Sequence, residues 1–475
     1  MRIVIMGAGM AGLSAALGLA RAGHQITLLE RDSVFQDCGW ETALQRSRDG
    51  IAHFFQPHVF WPRGSLLLRR SFPDVYQRLL HAGAYELFLY RKIRGDSQPG
   101  DEELVYLGVR RPLIEWGLLQ AVLRERSISV RGGLRVVGLL GKPDTVPQVS
   151  GVRTEQGDVE GDLVLDALGR TSPAPAWLEG LGTASLRTES SACGLIYYSR
   201  YFQLMPGALF PFDRWLISPR GDLGYAGFFT FIGDNQTFGV VLGIPTWDRE
   251  LRVLQHEPAF MAACREIPAL GDLVKPEFAK PIGPIVAGGG LLNTLRHYVR
   301  DERPVALGFF PLGDSLCHTN PAYALGLTFS LIQAIELRDI LSAVPAKDRK
   351  SQMLNYIARI LPEVRERFAL SCELDAVRIR AWQGERIDFT HRTGCYPQFM
   401  WIGAAAVALL NGEVCRKTLR RIGVLDRLSV FDEDIALQER VEELLAAGLP
   451  RTSAPPRTKL VRVAREAMAR ANATS

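Results

Sequence analysis

The stretch that decides the fold lies at the N-terminus, where residues 2–31 read RIVIMGAGMAGLSAALGLARAGHQITLLER. The opening run, Arg2–Met6, is short and apolar, as a buried parallel strand requires. A GxGxxG motif follows at residues 7–12, then helix-forming residues up to Arg21 and a second apolar run that ends in Glu30. Strand, glycine turn, helix, strand and terminal acid stand in the order of a dinucleotide-binding βαβ unit, so the pattern predicts a Rossmann-type fold.

Each glycine of the motif has a physical task. Gly7 permits the tight turn from strand to helix, Gly9 lets the backbone approach a pyrophosphate, and Gly12 lets the helix pack closely on the strand. The helix start at Met10 and Ala11 offers free N–H groups and the positive end of the helix dipole. These five residues are therefore predicted to contact phosphate groups.

The acidic residue at the end of the second strand restricts the cofactor. Glu30 is placed to accept hydrogen bonds from ribose hydroxyls, and its charge disfavours the 2′-phosphate of NADP in this cradle. Arg31 is counted with it among the predicted cofactor contacts. The cradle alone does not distinguish FAD from NAD.

A second segment, residues 311–334, reads PLGDSLCHTNPAYALGLTFSLIQA. It resembles the GD…P…G signature of FAD-dependent aromatic hydroxylases and epoxidases, the p-hydroxybenzoate-hydroxylase-like superfamily. The resemblance implies that Gly313 and Asp314 lie at the ribityl chain, with Asp314 bound to a ribityl hydroxyl. It also implies that a helix beginning near Gly326-Leu327, after Pro321, points its N-terminus at the flavin N1–C2=O edge.

Further motifs in the same order extend the resemblance over about residues 1–380. Residues 162–172, DLVLDALGRTS, look like the D-x-V-x-D-A-x-G-R-x-S stretch of that superfamily. The nearest subgroup is the set of flavin epoxidases and hydroxylases of natural-product pathways. The additional cofactor contacts that the resemblance implies are Arg48, Arg111, Val136 and Gly169.

Two departures from the family pattern affect what can be expected. Ala324 stands where relatives have the first glycine of P-x-x-G-x-G, which changes the loop beside the flavin. Leu168-Gly169-Arg170 stands where NAD(P)H-binding relatives have a D-G motif. NAD(P)H therefore remains a candidate electron donor, either directly or through a separate flavin reductase.

The predicted fold class is α/β: a Rossmann-type FAD-binding domain, an inserted, mainly antiparallel β-sheet substrate domain and a helical C-terminal region. The FAD-binding domain is predicted to be discontinuous, and the substrate domain is predicted to comprise two insertions, one of them rich in aromatic residues. We expect most of these aromatic side chains to form the domain core and a minority to line a pocket. The predicted bounds are 1–75, 103–190 and 290–360 for the FAD-binding domain, 76–102 and 191–289 for the substrate domain, and 361–475 for the helical region.

The resemblance implies a monooxygenase that transfers one oxygen atom from O₂ to an apolar small molecule through a C4a-(hydro)peroxyflavin. Hydroxylation and epoxidation both remain open, and the substrate is expected to be a secondary metabolite. Rival interpretations are a reductase or dehydrogenase of the prenyl-reductase type, a flavin-dependent halogenase and a non-catalytic FAD-binding protein. The candidates for orienting substrate or donating a proton are His53, His58, Arg200 and Tyr323.

Composition excludes several other classes. The 475 residues carry a net charge of only +5, without a basic run interleaved with aromatic residues, so no nucleic-acid partner is expected. Seven scattered cysteines without a CxxC pair disfavour a disulfide framework or a metal site and favour a cytoplasmic location. No stable membrane insertion is expected, and the amphipathic stretch 459–470 is interpreted as a solvated helix rather than a membrane-surface one.

Overall fold

The computed structural model describes residues 1–33, 38–51, 53–448 and 454–474. Its strands, in chain order, are β1 (Arg2–Met6), β2 (Gln25–Leu29), β3 (Tyr85–Phe88), β4 (Val105–Gly108), β5 (Ile128–Arg131), β6 (Val136–Gly141), β7 (Val149–Thr154), β8 (Gly157–Glu160), β9 (Leu163–Asp166), β10 (Thr188–Ala192), β11 (Leu195–Leu204), β12 (Arg220–Asp222), β13 (Gly227–Ile232), β14 (Thr237–Pro245), β15 (Ala279–Gly288), β16 (Leu292–Arg296), β17 (Val299–Arg300), β18 (Arg303–Pro304), β19 (Phe309–Pro311) and β20 (Cys317–His318).

The helices occupy the N-terminal half sparsely and dominate the chain after residue 325. In chain order they are α1 (Met10–Arg21), α2 (Trp40–Gln45), α3 (Pro62–Ser71), α4 (Pro73–His81), α5 (Arg111–Val122), α6 (Ala174–Gly180), α7 (Glu257–Glu266), α8 (Pro268–Gly271), α9 (Gly326–Ala343), α10 (Arg349–Trp382), α11 (Tyr396–Gln398), α12 (Ala404–Val407), α13 (Gly412–Ile422), α14 (Ser429–Asp432), α15 (Ile435–Ala446) and α16 (Arg457–Thr474).

A five-stranded parallel sheet, in the order β19-β9-β1-β2-β5, forms the centre of the nucleotide-binding part. Its central strand β1 is buried from Ile3 onward, as its apolar sequence requires, and α1 packs against both α5 and α9. Met6, Asp166 and Pro311 lie side by side in register at the carboxyl ends of β1, β9 and β19. Three separate stretches of sequence, each ending in a glycine-containing turn, therefore meet at one edge of the sheet.

A second five-stranded sheet, entirely antiparallel, has the order β12-β13-β14-β11-β15. Along β11 the side chains alternate: Tyr197 and Ser199 reach residues of the nucleotide-binding part, whereas Arg200 reaches Glu257 at the start of α7. The sheet thus has one face toward the first domain and one face toward helices. The smaller sheets are β6-β7-β8, β10-β16-β20, β3-β4 and β17-β18.

The predicted α/β class, with a parallel nucleotide-binding sheet, an inserted antiparallel sheet and C-terminal helices, is confirmed. Three of the predicted boundaries fall inside continuous elements: 75/76 lies within α4, 190/191 within β10 and 360/361 within α10. The boundary at 360/361 lies within α10, which runs through Pro362 because an internal proline removes only one hydrogen bond from a long, well-packed helix. The boundary at 102/103 separates β3 from its hairpin partner β4.

The basic C-terminal stretch forms α16 and packs onto α7 of the same chain. Leu460 and Ala464 are buried in this contact, and Lys459 pairs with Glu266 at 2.6 Å. The apolar face of the helix is therefore covered by the protein itself. Among the described residues, no helix combines the length and the apolar character needed to cross a lipid bilayer.

Candidate functional site

The glycine motif after β1 has the geometry of a phosphate cradle. Gly7 has a φ of +99°, and a Cβ built on Gly12 would lie 1.8 Å from the Gly7 carbonyl oxygen, so only glycine fits the turn and the close helix approach. Gly9 differs, because a Cβ there would meet no protein atom closer than Nη2 of Arg111, at 3.7 Å. The space next to Gly9 is therefore open, and the guanidinium of Arg111 borders it.

The first turn of α1 is free to bind an anion. Gly9 occupies the N-cap position without a side-chain cap, and no acidic residue lies in the first turn. The N–H groups that begin the helix, at Met10, Ala11 and Gly12, are buried beside the open space. A pyrophosphate fits this arrangement because the helix N-terminus carries partial positive charge and because Gly9 has no Cβ to obstruct it.

Glu30 is buried at the end of β2, but in this structure its carboxylate is already engaged. Oε2 accepts from the Ala8 N–H at 2.7 Å, Oε1 accepts from the Asp32 N–H at 3.1 Å, and the Arg48 guanidinium approaches Oε2 at 2.5 Å. The carboxylate thereby ties the end of β2 to the glycine turn. A small cavity of about 50 Å³ lies beside Ala8, Glu30 and Arg48.

Arg48 and Arg31, both predicted to contact the cofactor, have different environments. Arg48 lies among three carboxylates and donates to the Ala8 carbonyl at 2.8 Å and to Glu115 at 2.7 Å. Arg31 is exposed and donates to the Asp49 carbonyl at 3.5 Å. Arg48 is thus part of the cradle wall, whereas Arg31 lies at the protein surface.

A cluster of cationic and imidazole groups lies next to the open side of Gly9. Arg111 begins α5, donates to Glu115 at 2.7 Å, and its Nη1 lies 2.5 Å from Nε2 of His53. The His53 and His58 rings are 5.7 Å apart, and His58 Nδ1 lies 2.7 Å from the Gln56 carbonyl. Burial, reinforced by Arg111, lowers the pKa of His53 and brings the pKa of His58 down to about 3. Both rings are therefore neutral hydrogen-bonding groups at physiological pH.

The turn after β19 places Gly313 and Asp314 opposite the cradle. Gly313 has a φ of +61°, and its N–H donates to Oε1 of Gln333 at 2.6 Å. Asp314 Oδ1 would lie 3.7 Å from a Cβ built on Gly326, so the carboxylate faces the start of α9. Nε2 of His318 lies 4.0 Å from the same carboxylate. Asp314 and the α9 N-terminus are thus adjacent, as the family resemblance implies for a flavin edge.

Arg296 joins two of the turns. It donates to the Ser315 carbonyl at 2.9 Å and to the Arg170 carbonyl at 2.7 Å. Asp166, fully buried at the end of β9, accepts from Ser172 Oγ at 2.7 Å, and burial raises its pKa to about 6. Gly169, with a φ of +80° and nothing within 4 Å of a built Cβ, faces open space between them.

Val136, another predicted cofactor contact, lies close in sequence to a residue that is bonded to the end of β2. It begins β6, two residues after Leu134, whose N–H donates to the Glu30 carbonyl at 2.9 Å. The backbone of this strand is thereby joined to the end of β2, where the ribose would lie.

The loop 320–326 leads into α9 and contains the departure from the family pattern. Asn320 Oδ1 caps the short turn that begins at Pro321 by accepting from the Ala322 N–H at 2.9 Å. Ala324 has a φ of +53°, the left-handed region that glycine adopts at lower cost. The alanine therefore adopts the backbone conformation that glycine would adopt at lower cost, and α9 begins at Gly326 with Leu327 buried in its first turn.

A buried polar network, which the sequence analysis did not predict, joins this loop to α10. Asp375 of α10 is fully buried, and its Oδ1 accepts from Asn320 Nδ2 at 2.6 Å, Tyr323 Oη at 3.0 Å and Arg378 Nη2 at 2.7 Å. Its other oxygen accepts from Asn293 Nδ2 at 2.8 Å. The available signal was a set of polar and charged residues at helical spacing among the apolar positions of a long helix, Asp375 included, which the sequence analysis did not pursue.

The four candidates for substrate chemistry do not lie together. His53 and His58 lie beside Arg111, whereas the Tyr323 hydroxyl is engaged by Asp375 on the far side of the loop. Arg200 lies on the outer face of the second sheet, where it pairs with Glu257 at 2.7 Å and donates to the Gly283 carbonyl at 3.0 Å. The strand alternation that turns Ser199 inward turns Arg200 outward, which is inconsistent with Arg200 touching a substrate.

Comparison with known proteins agrees with this geometry. The family model described as FAD dependent oxidoreductase matches residues 2–80. Protein Rv3254 of Mycobacterium tuberculosis (strain ATCC 25618 / H37Rv) is 26% identical over 368 residues, which cover 72% of this chain and 73% of that protein.

Two solved structures share the fold over most of the chain. The anhydrotetracycline hydroxylase OxyS from Streptomyces rimosus aligns with a TM-score of 0.57 at 17% identity, over 90% of this chain and 76% of that one. PqsL from Pseudomonas aeruginosa, described as "a probable FAD-dependent monooxygenase", aligns with a TM-score of 0.55 at 15% identity, over 81% of this chain and 98% of that one. Residues 2–80 therefore match an FAD dependent oxidoreductase domain, and the overall fold is shared with the two hydroxylase and monooxygenase structures.

Proposed function

We propose that this protein is an FAD-dependent monooxygenase that inserts one atom of O₂ into a small, largely apolar substrate. The observation that carries the proposal is the meeting of three turns at one edge of the parallel sheet, directly under the inner face of the antiparallel sheet. On that face, Tyr197 hydrogen-bonds Asn320, and Ser199 hydrogen-bonds Gln56 of the nucleotide-binding part. The second sheet therefore covers the loop 320–326 that leads into α9. A roofed site of this kind excludes water from the reacting atoms.

The proposed FAD contacts follow from the geometry of the turns. The α1 N-terminus over Gly9, with Arg111, would hold the pyrophosphate, while Glu30, Arg48 and Val136 would lie at the adenosine end. Asp314 would accept from the ribityl chain. The remaining proposed contacts, which line the turns on either side, are Gly7, Gly169, Gly313, Pro321, Gly326 and Leu327.

Bound FAD, once reduced, would supply the reaction with activated oxygen, and the chain's own residues would orient and shield the substrate. The N-terminus of α9 favours negative charge near Gly326 without needing an ionisable side chain. His53 and His58, being neutral, would orient the substrate by hydrogen bonds and would not donate protons from a charged ring. We retain both as substrate-orienting candidates and omit Arg200.

The proposal is tested with ¹⁸O₂. FAD-loaded protein, reduced photochemically without any partner, is mixed with ¹⁸O₂ and a panel of polycyclic aromatic and polyene substrates, and products are examined by mass spectrometry. Incorporation of a single ¹⁸O atom is expected. A product that gains two hydrogens and no ¹⁸O would replace the proposal with the reductase interpretation.

The electron donor is tested separately. Anaerobic addition of NADH or NADPH to the oxidised holoprotein bleaches the flavin absorbance if the nicotinamide reacts directly. We propose that reduction occurs either in this way or through a separate flavin reductase, because Leu168-Gly169-Arg170 replaces the D-G motif. Bleaching only after addition of a flavin reductase identifies the second route.

A further inference from the structure

A helical segment of the C-terminal region exposes an apolar stripe. Residues 393–412 contain no charged side chain. Three pairs of apolar residues lie along it at intervals of four positions, the first member of each pair half-buried and the second exposed: Trp401 and Ile402, Ala405 and Ala406, Leu409 and Leu410. The residues between the pairs are buried. The solvent-facing side of a surface helix ordinarily carries polar residues, so an entirely apolar one indicates a partner.

The stripe begins at the loop that leads into α9. The rings of Trp401 and Tyr323 meet edge to face, with their centroids 5.4 Å apart. Trp401 belongs to the stretch Phe399–Gly403, which is wound as a π-helix, a geometry that is frequent at functional sites. At its other end the stripe reaches the surface at Leu410, which is 49% exposed. The stripe therefore connects the protein surface with the proposed flavin loop.

Two segments from the first half of the chain adjoin the stripe. A Cβ built on Gly412 would lie 1.9 Å from the Arg94 carbonyl oxygen, so the end of the stripe lies against the segment that follows β3. Lys92 of the same segment donates to the Trp215 carbonyl at 2.7 Å, which joins this segment to the loop 205–216. Three stretches that are distant in sequence are therefore neighbours at the surface.

We call the surface formed by residues 85–94, 205–216 and 401–412 the apolar face. Within the described ranges, four of the nine most exposed large apolar side chains belong to it: Leu209, Leu410, Tyr85 and Ile402. Leu209 is 84% exposed and thus projects almost completely from the protein. Single exposed apolar side chains are normal, whereas several on adjoining segments mark an interaction surface.

The exposed charges of the apolar face are mainly positive. Its three segments carry four basic and two acidic residues, namely Arg91, Lys92, Arg94, Arg214, Glu86 and Asp213. The three arginines are exposed, and none of them forms an ion pair with a residue that the structure describes. Arg91 lies over the Phe88 ring, 4.7 Å from its centroid, and is thereby held among the apolar side chains. Arginines interspersed with exposed apolar side chains match the headgroup layer of an anionic membrane.

We propose that the apolar face docks on the surface of a membrane that contains anionic lipid. The projecting apolar side chains would enter the boundary between headgroups and acyl chains, while the arginines would pair with lipid phosphates. A protein partner would need a preformed pocket for a side chain as exposed as Leu209, whereas acyl chains adapt to its shape. Docking of this kind is peripheral and needs no helix that spans the bilayer.

The position of the stripe gives docking a role in the proposed function, on which this step rests. An apolar substrate dissolved in the bilayer would enter along the stripe and reach Trp401, in contact with Tyr323. The substrate would then remain in apolar surroundings from the lipid to the candidate site, which avoids the cost of exposing it to water.

Vesicle binding tests the proposal without turnover, so its failure is distinct from failure of the proposed function. FAD-loaded protein is mixed with vesicles of phosphatidylcholine, with or without about one third phosphatidylserine, and bound protein is measured after sedimentation. We expect binding to the anionic vesicles to be at least about tenfold tighter than to the neutral ones, and to weaken as salt is added. Absence of binding to the anionic vesicles, or equal binding to both, overturns the proposal whatever the ¹⁸O experiment gives.

Variants locate the docking surface. The double variant Leu209→Ser Leu410→Ser is expected to bind anionic vesicles about tenfold or more weakly, because two side chains no longer enter hydrocarbon. Arg94→Gln should weaken binding about fivefold. Trp247→Ser is the matched control, since Trp247 is 45% exposed but follows the end of β14 that lies opposite to the loop 205–216. A double variant that binds as the wild type does, or that loses no more binding than Trp247→Ser, overturns the assignment.

Two further measurements separate lipid docking from other causes. All these variants should melt as the wild type does, because the changed side chains are exposed, so weaker vesicle binding does not reflect unfolding. Light scattering without lipid tests a second copy of this chain as the occupant of the apolar face, and a monomer is expected. A dimer that Leu209→Ser Leu410→Ser converts to monomers would assign the face to self-association and overturn lipid docking.

Discussion

The Tyr323 hydroxyl donates to Asp375 Oδ1 at 3.0 Å, joining the loop before α9 to a helix 52 positions further along the chain. Asn320, at the start of the same loop, donates to the same oxygen at 2.6 Å. One carboxylate therefore holds both ends of the segment that precedes the proposed flavin helix. The long helix α10, which begins the C-terminal half of the fold, contributes directly to the shape of the candidate site.

Replacement of Asp375 by Asn is expected to destabilise the protein strongly. Arg378, which donates to Asp375 at 2.7 Å, would lose the negative charge of this partner in a buried position, and breaking a buried pair in this way costs about 3 kcal/mol or more. Urea unfolding of the holoprotein measures the loss. Glu373→Gln, an exposed position two residues earlier on the same helix, serves as the matched control. Equal stability of the two variants would show that the carboxylate charge is not needed.

Much of the fold could be predicted because its signals are local. The strands at Arg2–Met6 and Gln25–Leu29 lie where the two apolar runs of the N-terminal segment predicted them, since an apolar run next to a glycine turn leaves little freedom. The start of α9 at Gly326 was expected from the family resemblance, and the structure has it there. The hairpin of β3 and β4 and the continuous α10 were not anticipated, because strand pairing and tolerance of Pro362 depend on packing partners distant in sequence.

Substitution by alanine is expected to have different effects at two glycines of the cradle: it weakens FAD binding at Gly9 and lowers stability at Gly12. In Gly9→Ala the new methyl meets no protein atom within 3.7 Å, so folding is kept while the pyrophosphate is displaced. In Gly12→Ala the methyl would lie 1.8 Å from the Gly7 carbonyl oxygen, so α1 must shift and stability falls. Melting of the FAD-free proteins and FAD titration measure the two effects separately. A Gly9→Ala variant with wild-type FAD affinity would rule out this cradle as the pyrophosphate site.

Ala324→Gly is expected to stabilise the protein slightly. A non-glycine residue in the left-handed region costs about 1–2 kcal/mol of stability, which glycine avoids. Glycine is more flexible in the unfolded chain, and this flexibility costs about 0.5–1 kcal/mol of stability. With a φ of +53° at Ala324, the expected net gain is below about 1 kcal/mol by chemical denaturation. Ala322→Gly, two residues earlier and outside the left-handed region, should instead lose stability. A loss in Ala324→Gly equal to that in Ala322→Gly would mean that the methyl makes a stabilising contact.

The residue that the sequence analysis missed, Asp375, is important because of its partners and not because of a motif. Four donors converge on its carboxylate. This convergence is not visible in a linear pattern. Conversely, Arg200 looked suitable as a charged residue in an aromatic strand, and only the alternation along β11 assigns it to the outer face.

His58 provides a pH dependence with a defined sign. Burial lowers its pKa to about 3 in the folded protein, against about 6.5 in an unfolded chain, so the unfolded state binds more protons between these values. The contribution of His58 to stability is complete above about pH 6.5 and is lost as the pH falls toward 3.

In His58→Asn the amide nitrogen can still donate to the Gln56 carbonyl, while the titrating group is gone. The free energy of unfolding of this variant should therefore fall less between pH 7 and pH 4 than that of the wild type, whereas His256→Asn, at an exposed site, should follow the wild type. Parallel curves for the wild type and His58→Asn would mean that His58 does not titrate differently on folding.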